Sequence, residues 1–168
     1  MITADLDRAR EIAASVVDPE LPMVTLADLG VLRDVTAADD DVVVVSITPT
    51  YSGCPAMATM RDDLVHRLRS NGFDQVRVQV VLAPAWTSDW ITPKGRAALA
   101  AAGISPPGPA APRGGPVALT LSRPHRSVKC PQCNSSAVDL VSEFGSTACK
   151  ALYRCRECLE PFDHVKEI

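Results

Sequence analysis

The chain has 168 residues, of which 46% are hydrophobic and 22% are charged, and this balance excludes an intrinsically disordered protein. Its longest apolar run, residues 42–45, is too short for a membrane span, and its start lacks the basic flank and apolar segment of a secretory signal. The net charge of −3 is too small to indicate nucleic-acid binding, so we expect a cytoplasmic protein that binds neither membrane nor nucleic acid.

Apolar periodicity and turn residues predict a compact α+β domain over residues 1–102. A helix comes first, and two β-branched stretches separated by a short acidic loop predict a hairpin. Four consecutive valines in the second stretch favour a strand covered on both faces. A second helix, a third strand and an alanine-rich helix follow. The predicted order is therefore α-β-β-α-β-α, at residues 3–17, 30–36, 42–48, 55–70, 75–82 and 92–103.

The next segment, residues 103–116, contains Pro or Gly at 9 of its 14 positions. Prolines remove backbone donors and favour extended geometry, so we expect a semi-rigid spacer without helix or strand. Residues 117–168 then form a predicted zinc-ribbon-like β domain that opens with a strand at 117–121. Residues 1–102 carry 9 Lys/Arg against 14 Asp/Glu and residues 117–168 carry 7 against 6, so the first domain is acidic and the second nearly neutral.

Two Cys-x-x-Cys pairs separated by 21 residues form the most specific motif of the chain. Each pair directs two sulfur atoms at one point, and two pairs complete a tetrahedral metal site. Zinc is the expected metal, because a segment of about forty residues needs a structural metal to fold. Iron in a rubredoxin-like site and an iron-sulfur cluster are the alternatives. The predicted ligands are Cys130, Cys133, Cys155 and Cys158.

A fifth cysteine of this domain, Cys149, lies six residues before Cys155, a spacing unlike that within the pairs. Two interpretations stay open. Cys149 is a small buried residue of the ribbon's sheet, or it is an additional thiol with a role of its own.

The loop at residues 48–55 connects the second strand to the second helix and contains the sixth cysteine, Cys54. Pro55 suits the first position of a helix, which places Cys54 at the N-cap, where free backbone N–H groups stabilise a thiolate. Hydroxyl groups of the loop, among them those of Thr48 and Thr50, supply donors around the sulfur. The alternative is that Cys54 is an inert cap and that the hydroxyls make hydrogen bonds to backbone groups of the turn.

Three further segments have structural interpretations. Residues 18–22, Asp-Pro-Glu-Leu-Pro, are typical of a helix terminator, and residues 28–30, Asp-Leu-Gly, predict a turn into the hairpin. The two tryptophans at positions 86 and 90 are either a lid over the core or a contact for a partner.

The residues at 18–20, 28–30 and 48–55 together resemble the small domain of SufT-like iron-sulfur cluster assembly factors, over about residues 3–102. The resemblance implies an α+β domain that assists cluster maturation through contacts with partner proteins. It also implies a candidate site for transfer of iron or a cluster, formed by Cys54, Asp18, Thr48 and Thr50.

Residues 144–155, Phe-Gly-Ser-Thr-Ala-Cys-Lys-Ala-Leu-Tyr-Arg-Cys, extend the resemblance to the PaaD family over nearly the whole chain. This implies an accessory component of the phenylacetyl-CoA epoxidase system in phenylacetate breakdown, with other subunits of that system or an iron-sulfur protein as partners. The chain has no nucleotide or flavin fingerprint and no Glu-x-x-His pair, so we expect no catalysis by this chain alone.

The resulting hypothesis is that Cys54, assisted by Asp18 and Thr50, receives or hands over iron or a cluster while the ribbon serves as a docking module. Two alternatives remain. One is rubredoxin-like electron transfer through iron in the ribbon, and the other is a purely structural adaptor.

Overall fold

The computed structural model describes residues 3–38, 41–51, 53–110 and 128–168. The chain divides into two compact units, residues 1–98 and residues 99–168. The first unit combines helices with a sheet and the second is built on strands, which confirms the predicted α+β class. Within the described ranges, no helix is long and apolar enough to cross a bilayer.

The elements before the spacer follow the predicted order. A short 3-10 helix at Ser88–Trp90 was not predicted, and the last helix begins in the first unit and ends in the second. The elements are α1 (Thr3–Ala14), β1 (Leu32–Ala37), β2 (Val43–Ile47), α2 (Met57–Arg69), β3 (Val76–Val80) and α3 (Pro93–Ala101).

The sheet of the first unit has the strand order β1-β2-β3, with β1 antiparallel and β3 parallel to β2. All five residues of the central strand β2 are buried, which confirms the predicted cover on both faces. Helix α2 is the crossover between the parallel strands β2 and β3, and it buries Met60, Leu64 and Leu68. Each such side chain contributes about 1.5–3 kcal/mol when it is removed from water.

Helix α1 ends at Ala14, three residues earlier than predicted, because the following residues pair with a loop instead of continuing the helix. Val17 forms an isolated bridge with Thr25, and the Leu26 backbone N–H donates to the Val16 carbonyl over 2.9 Å. The chain therefore reverses direction in the turn at residues 18–22, and the residues after the turn pair with those that follow the helix.

The C-terminal end of α2 agrees with the predicted Asn-Gly stop. Gly72 has a φ of +93°, a value that glycine adopts at little cost. The Phe73 backbone N–H then donates to the Leu68 carbonyl over 3.2 Å, which satisfies a carbonyl at the helix end.

The second unit contains a three-stranded antiparallel sheet of order β4-β5-β6, formed by Val138–Ser142, Lys150–Cys155 and Pro161–Val165. Tyr153 and Phe162 stack with ring centroids 6.0 Å apart, and both belong to a small apolar core with Val128 and Ala151. The core is small for an independent domain, which agrees with the predicted need for a metal.

The first part of the predicted spacer pairs with this sheet. Ser105 forms a parallel bridge with His164 of β6, and its backbone N–H donates to the Asp163 carbonyl over 2.8 Å. The proline content of this segment did not predict that bridge. The predicted strand at 117–121 and the remainder of the spacer from 111 onward lie outside the described residues, so the boundaries at 102 and 116 stay predictions.

Candidate metal centre and thiol loop

The four cysteines of the two Cys-x-x-Cys pairs come together at one point of the second unit. Their sulfur atoms all lie within 4.8 Å of one another, with 3.6 Å between Cys130 and Cys158 and 3.5 Å between Cys133 and Cys155. A tetrahedron with metal–sulfur bonds of about 2.3 Å has sulfur–sulfur edges of about 3.8 Å. The observed separations therefore fit a single tetrahedral ion.

The two pairs are held by the same local structure. The Cys130 N–H donates to the carbonyl five residues later over 2.9 Å, and the Cys155 N–H does the same over 3.0 Å. The residue after each second cysteine is left-handed, with φ of +59° at Asn134 and +63° at Leu159. This repeat explains why the spacing alone predicted that the four sulfur atoms meet, since each turn is fixed within six residues.

Electrostatics at the cluster favour the thiolate of Cys155 and oppose that of Cys158. The backbone N–H groups of Cys158 and Glu157 lower the pKa of Cys155 to about 7, although burial acts in the opposite direction. The Glu160 N–H favours the Cys158 thiolate, but burial and hydrogen bonds to the neighbouring thiols raise the pKa of Cys158 to about 12. Several thiolates at this separation repel one another, and a metal cation would offset that repulsion.

Cys149 is not a member of this four-sulfur group. It is half-buried in the segment between β4 and β5, where its sulfur lies 3.1 Å from the Thr147 hydroxyl. Its carbonyl accepts a hydrogen bond from the Lys166 N–H over 3.0 Å. The structure thus separates Cys149 from the metal centre, and its role as an additional thiol stays a prediction.

The loop before α2 differs from its predicted geometry. Ala56 occupies the N-cap and α2 begins at Met57, so the prediction that Cys54 caps this helix is wrong. The Cys54 carbonyl instead accepts the Met57 N–H over 3.4 Å, which makes Cys54 the start of a turn that leads into the helix. Pro55 belongs to that turn, and the argument for a thiolate stabilised at a helix terminus no longer applies to the half-buried Cys54.

The other predicted residues of this site lie on two segments. Thr48 follows β2 directly, is 1% exposed, and its hydroxyl oxygen has no hydrogen-bond partner among the described residues. Thr50 is half-buried in the same loop. Asp18 is 4% exposed, and one of its carboxylate oxygens accepts the N–H groups of Glu20 and Leu21, both over 2.8 Å. Their convergence with Cys54 into one site stays a prediction.

The Asp-Leu-Gly turn at 28–30 joins the start of the hairpin to the residues before α3. The Asp28 carboxylate accepts hydrogen bonds from the hydroxyls of Thr92 (2.9 Å) and Thr25 (3.1 Å). Burial raises its pKa, but these bonds and the Lys94 ammonium outweigh burial and hold the pKa below its usual value. The prediction of a turn is confirmed, and its acid stabilises the fold.

The indole of Trp86 covers the same turn. It is 3% exposed, and its Nε1–H donates to the Leu29 carbonyl over 2.9 Å. The Arg33 guanidinium stacks 3.6 Å from the centre of the half-buried Trp90 ring. Of the two interpretations of the tryptophans, the structure supports a lid over the core for Trp86.

A buried polar chain in the second unit was not anticipated. His164 is 1% exposed, with Nδ1 3.2 Å from the Ser105 hydroxyl and Nε2 3.1 Å from the Glu167 carboxylate. Burial raises the pKa of Glu167, but the hydrogen bonds from His164 and the Gly108 N–H outweigh it and lower the pKa to about 2. The His-x-x-Glu spacing is visible in the sequence and could have suggested the pair of His164 and Glu167. Ser105 lies 59 residues from His164, and no local pattern connects these two residues.

Comparison with known proteins places both units in families. Residues 7–80 match the family described as iron-sulfur cluster assembly protein, and residues 114–166 match the PaaD zinc beta ribbon domain. An Escherichia coli K12 protein, named as one component of a "Putative 1,2-phenylacetyl-CoA epoxidase", is 47% identical over 149 residues, which cover 89% of this chain and 85% of that protein. The chain belongs to the PaaD family.

Two more distant relatives each cover about half of this chain. A Porphyromonas gingivalis protein named "Fe-S protein maturation auxiliary factor" is 32% identical over 79 residues, 46% of this chain and 74% of that protein. The crystal structure of a DUF59 domain from Bacillus anthracis aligns with a TM-score of 0.53 and 30% identity, over 57% of this chain and 92% of that domain. This chain thus joins an assembly-type domain to a PaaD-type ribbon.

Proposed function

We propose that this protein is an accessory component of a phenylacetyl-CoA epoxidase system and assists delivery of iron or an iron-sulfur cluster to a partner subunit. The name of the E. coli relative supports the association with the epoxidase, and the name of the P. gingivalis relative supports the maturation role. The protein acts in the cytoplasm through contacts with other subunits of that system or with an iron-sulfur protein, and it does not catalyse a reaction alone.

The observation that carries this proposal is the hydroxyl of Thr48. A buried hydroxyl that no described residue pairs with costs about 1–3 kcal/mol, and a bound ligand is one way in which a fold satisfies such a group. Thr48 begins the loop that contains Cys54, a half-buried thiol suited to iron. Asp18 fixes its own turn, residues 18–22, by accepting the N–H groups of Glu20 and Leu21.

The transfer step is a ligand exchange on the cargo. The Cys54 thiol loses its proton to solvent, the thiolate replaces one donor on the iron, and a donor of the partner later replaces the thiolate. No electron is transferred, so no oxidant or reductant is needed. Thr50 and Thr48 offer hydroxyls to the bound species.

Zinc in the ribbon serves folding and docking. Four sulfur ligands close the coordination sphere, so no position is left for a substrate or for cargo. The ligands are Cys130, Cys133, Cys155 and Cys158.

A strain that lacks the gene and depends on phenylacetate for growth tests the transfer role. The strain receives the wild-type chain, Cys54→Ala or Cys149→Ala, and the iron content and activity of the epoxidase are measured. We expect Cys54→Ala to lower both at equal chain abundance, while Cys149→Ala serves as a matched thiol control. Unchanged iron loading with Cys54→Ala would falsify the transfer role and leave the structural adaptor.

The tetrathiolate geometry also favours one competing function, electron transfer through iron in the ribbon. The visible spectrum of the purified protein separates the two. A colourless protein that contains zinc excludes the rubredoxin-like function, and a red, reducible chromophore supports it.

A further inference from the structure

A groove of about 460 Å³ runs between α2 and the edge strand β3 in the first unit. Its α2 wall includes Arg61, Val65 and Arg69, and its β3 wall includes Val76 and Val78. None of the residues that line this groove belongs to the four-cysteine group or to the loop that contains Cys54.

The β3 side of the groove is an apolar stripe that α2 covers only in part. Residues 76, 78 and 80 alternate along the strand and therefore share one face of the sheet. Val76 and Val78 are half-buried and Val80 is 52% exposed, and Leu82, just beyond the strand, is 67% exposed. The neighbouring strand β2 is buried throughout, so the partly uncovered valines next to α2 belong to β3 and not to β2.

The backbone of β3 is also open on its outer side. The strand order β1-β2-β3 places β3 at the edge of the sheet, and within the described ranges no other strand pairs with that edge. An open edge beside a half-covered valine stripe is a template for the addition of another strand.

The charge on the α2 wall selects the kind of strand. Arg61 and Arg69 are exposed and flank Val65 at intervals of four residues, and His66 adjoins them. Asp62 lines the same wall, but its side chain is 79% exposed and its oxygen lies 3.9 Å from Arg61 Nε, a contact that an incoming carboxylate can replace. The wall therefore presents basic, apolar and basic side chains on an otherwise acidic domain.

The spacing along the wall matches that of an extended chain. Four helical residues advance about 6 Å, and two strand residues advance about 6.6 Å. A strand beside β3 therefore faces Arg61, Val65 and Arg69 with its residues i, i+2 and i+4. We propose that this groove binds an extended acidic segment of a partner protein, with the pattern acidic-x-apolar-x-acidic, as a fourth strand beside β3.

Fluorescence anisotropy of a labelled synthetic peptide with the central sequence Asp-Thr-Val-Thr-Asp tests this proposal on the full-length protein. We expect saturable binding that weakens on the order of tenfold in the double variant Arg61→Glu, Arg69→Glu, because both ion pairs become repulsive. A second variant, Arg61→Gln with Arg69→Gln, shows the same direction without an added repulsion and covers the case that the first variant folds poorly.

The matched control reverses two exposed arginines that do not line the groove, Arg67→Glu with Arg77→Glu. Arg77 alternates with the valines of β3 and lies on the opposite face. This control has the same net charge as the groove variant, and we expect it to keep binding within about threefold. Equal losses in the two double variants would mean general charge attraction and would overturn the proposal.

The peptide itself gives a second control. Moving one Asp by a single position sends its side chain to the other face of the added strand, so we expect weaker binding of that peptide. Equal binding of both peptides, or no saturable binding to the wild-type chain, contradicts strand addition. If the chain forms a dimer and the groove variant dissociates it, the groove binds a second copy of the chain. That result would overturn the proposal of an acidic partner segment.

Discussion

At the scale of single residues, the thiols have distinct structural positions. Cys130 and Cys155 are buried in the four-sulfur group with the exposed Cys133, whereas Cys149 lies outside that group. The meeting of the four sulfur atoms was predictable because each turn is local. The start of α2 at Met57 was not, because it depends on how the preceding turn packs, and the predicted cap position of Cys54 is therefore wrong.

The first prediction separates a ligand thiol from the additional thiol. Cys133→Ser removes one of four sulfur ligands, and because metal binding supplies the folding free energy of such a site, we expect loss of bound zinc and of the ribbon's cooperative unfolding transition. Cys149→Ser is the control and should retain the metal. The zinc released on thiol modification measures the bound metal, and calorimetry measures the unfolding transition. Loss of metal from the Cys149 variant would contradict the assignment of Cys149 outside the metal site.

The second prediction concerns Asp28, whose folded pKa lies below its usual value. A carboxylate with a depressed pKa contributes stability above its unfolded pKa of about 3.9, and that contribution is lost as pH falls through the folded value. Asp28→Asn should therefore cost about 1 kcal/mol near pH 7 and progressively less below about pH 4. Urea unfolding of both proteins across this range measures the difference, and a cost that does not depend on pH would contradict this account.

At the scale of elements, the first unit is built around two features. One is the βαβ unit of β2, α2 and β3, and the other is the Asp-Leu-Gly turn. The turn is tight because Gly30 has a φ of +71° and its position faces the backbone of Trp90. A Cβ at position 30 would lie 2.6 Å from Trp90 Cβ, whereas a Cβ at Gly72 would meet nothing within 4 Å.

The third prediction uses these two glycines as a matched pair. Both have positive φ, so each change to alanine costs about 1 kcal/mol of backbone strain. Gly30→Ala adds a clash with Trp90, for a total cost of about 2–4 kcal/mol. Chemical denaturation of the two variants gives both values, and equal losses would show that the close approach to Trp90 does not matter.

Much of the element order was predictable from sequence, and the failures have physical causes. The valines of β2 predicted a strand with two covered faces, because a strand buried on both faces consists almost entirely of apolar residues. The bridge between Ser105 and His164 has no such sequence signal, since it joins residues 59 positions apart through backbone hydrogen bonds that any residue can make. The burial of the Thr48 hydroxyl away from any partner among the described residues likewise depends on tertiary packing.

At the scale of the whole molecule, the chain combines an assembly-type unit with a ribbon that contains the four-cysteine group. We propose that the two units have different roles. The ribbon holds a structural metal with a closed coordination sphere, and the loop that contains Cys54 binds the iron or cluster that is transferred. The groove between α2 and β3 then supplies a surface for a partner that is independent of both sites.

Metal analysis of anaerobically purified protein, before and after titration with ferrous iron, tests this division most directly. The account predicts a single zinc ion per chain and no visible chromophore in both the wild type and Cys54→Ala, with additional iron bound by the wild type alone. Iron in place of zinc within the ribbon, or equal uptake of ferrous iron by the two proteins, would contradict it.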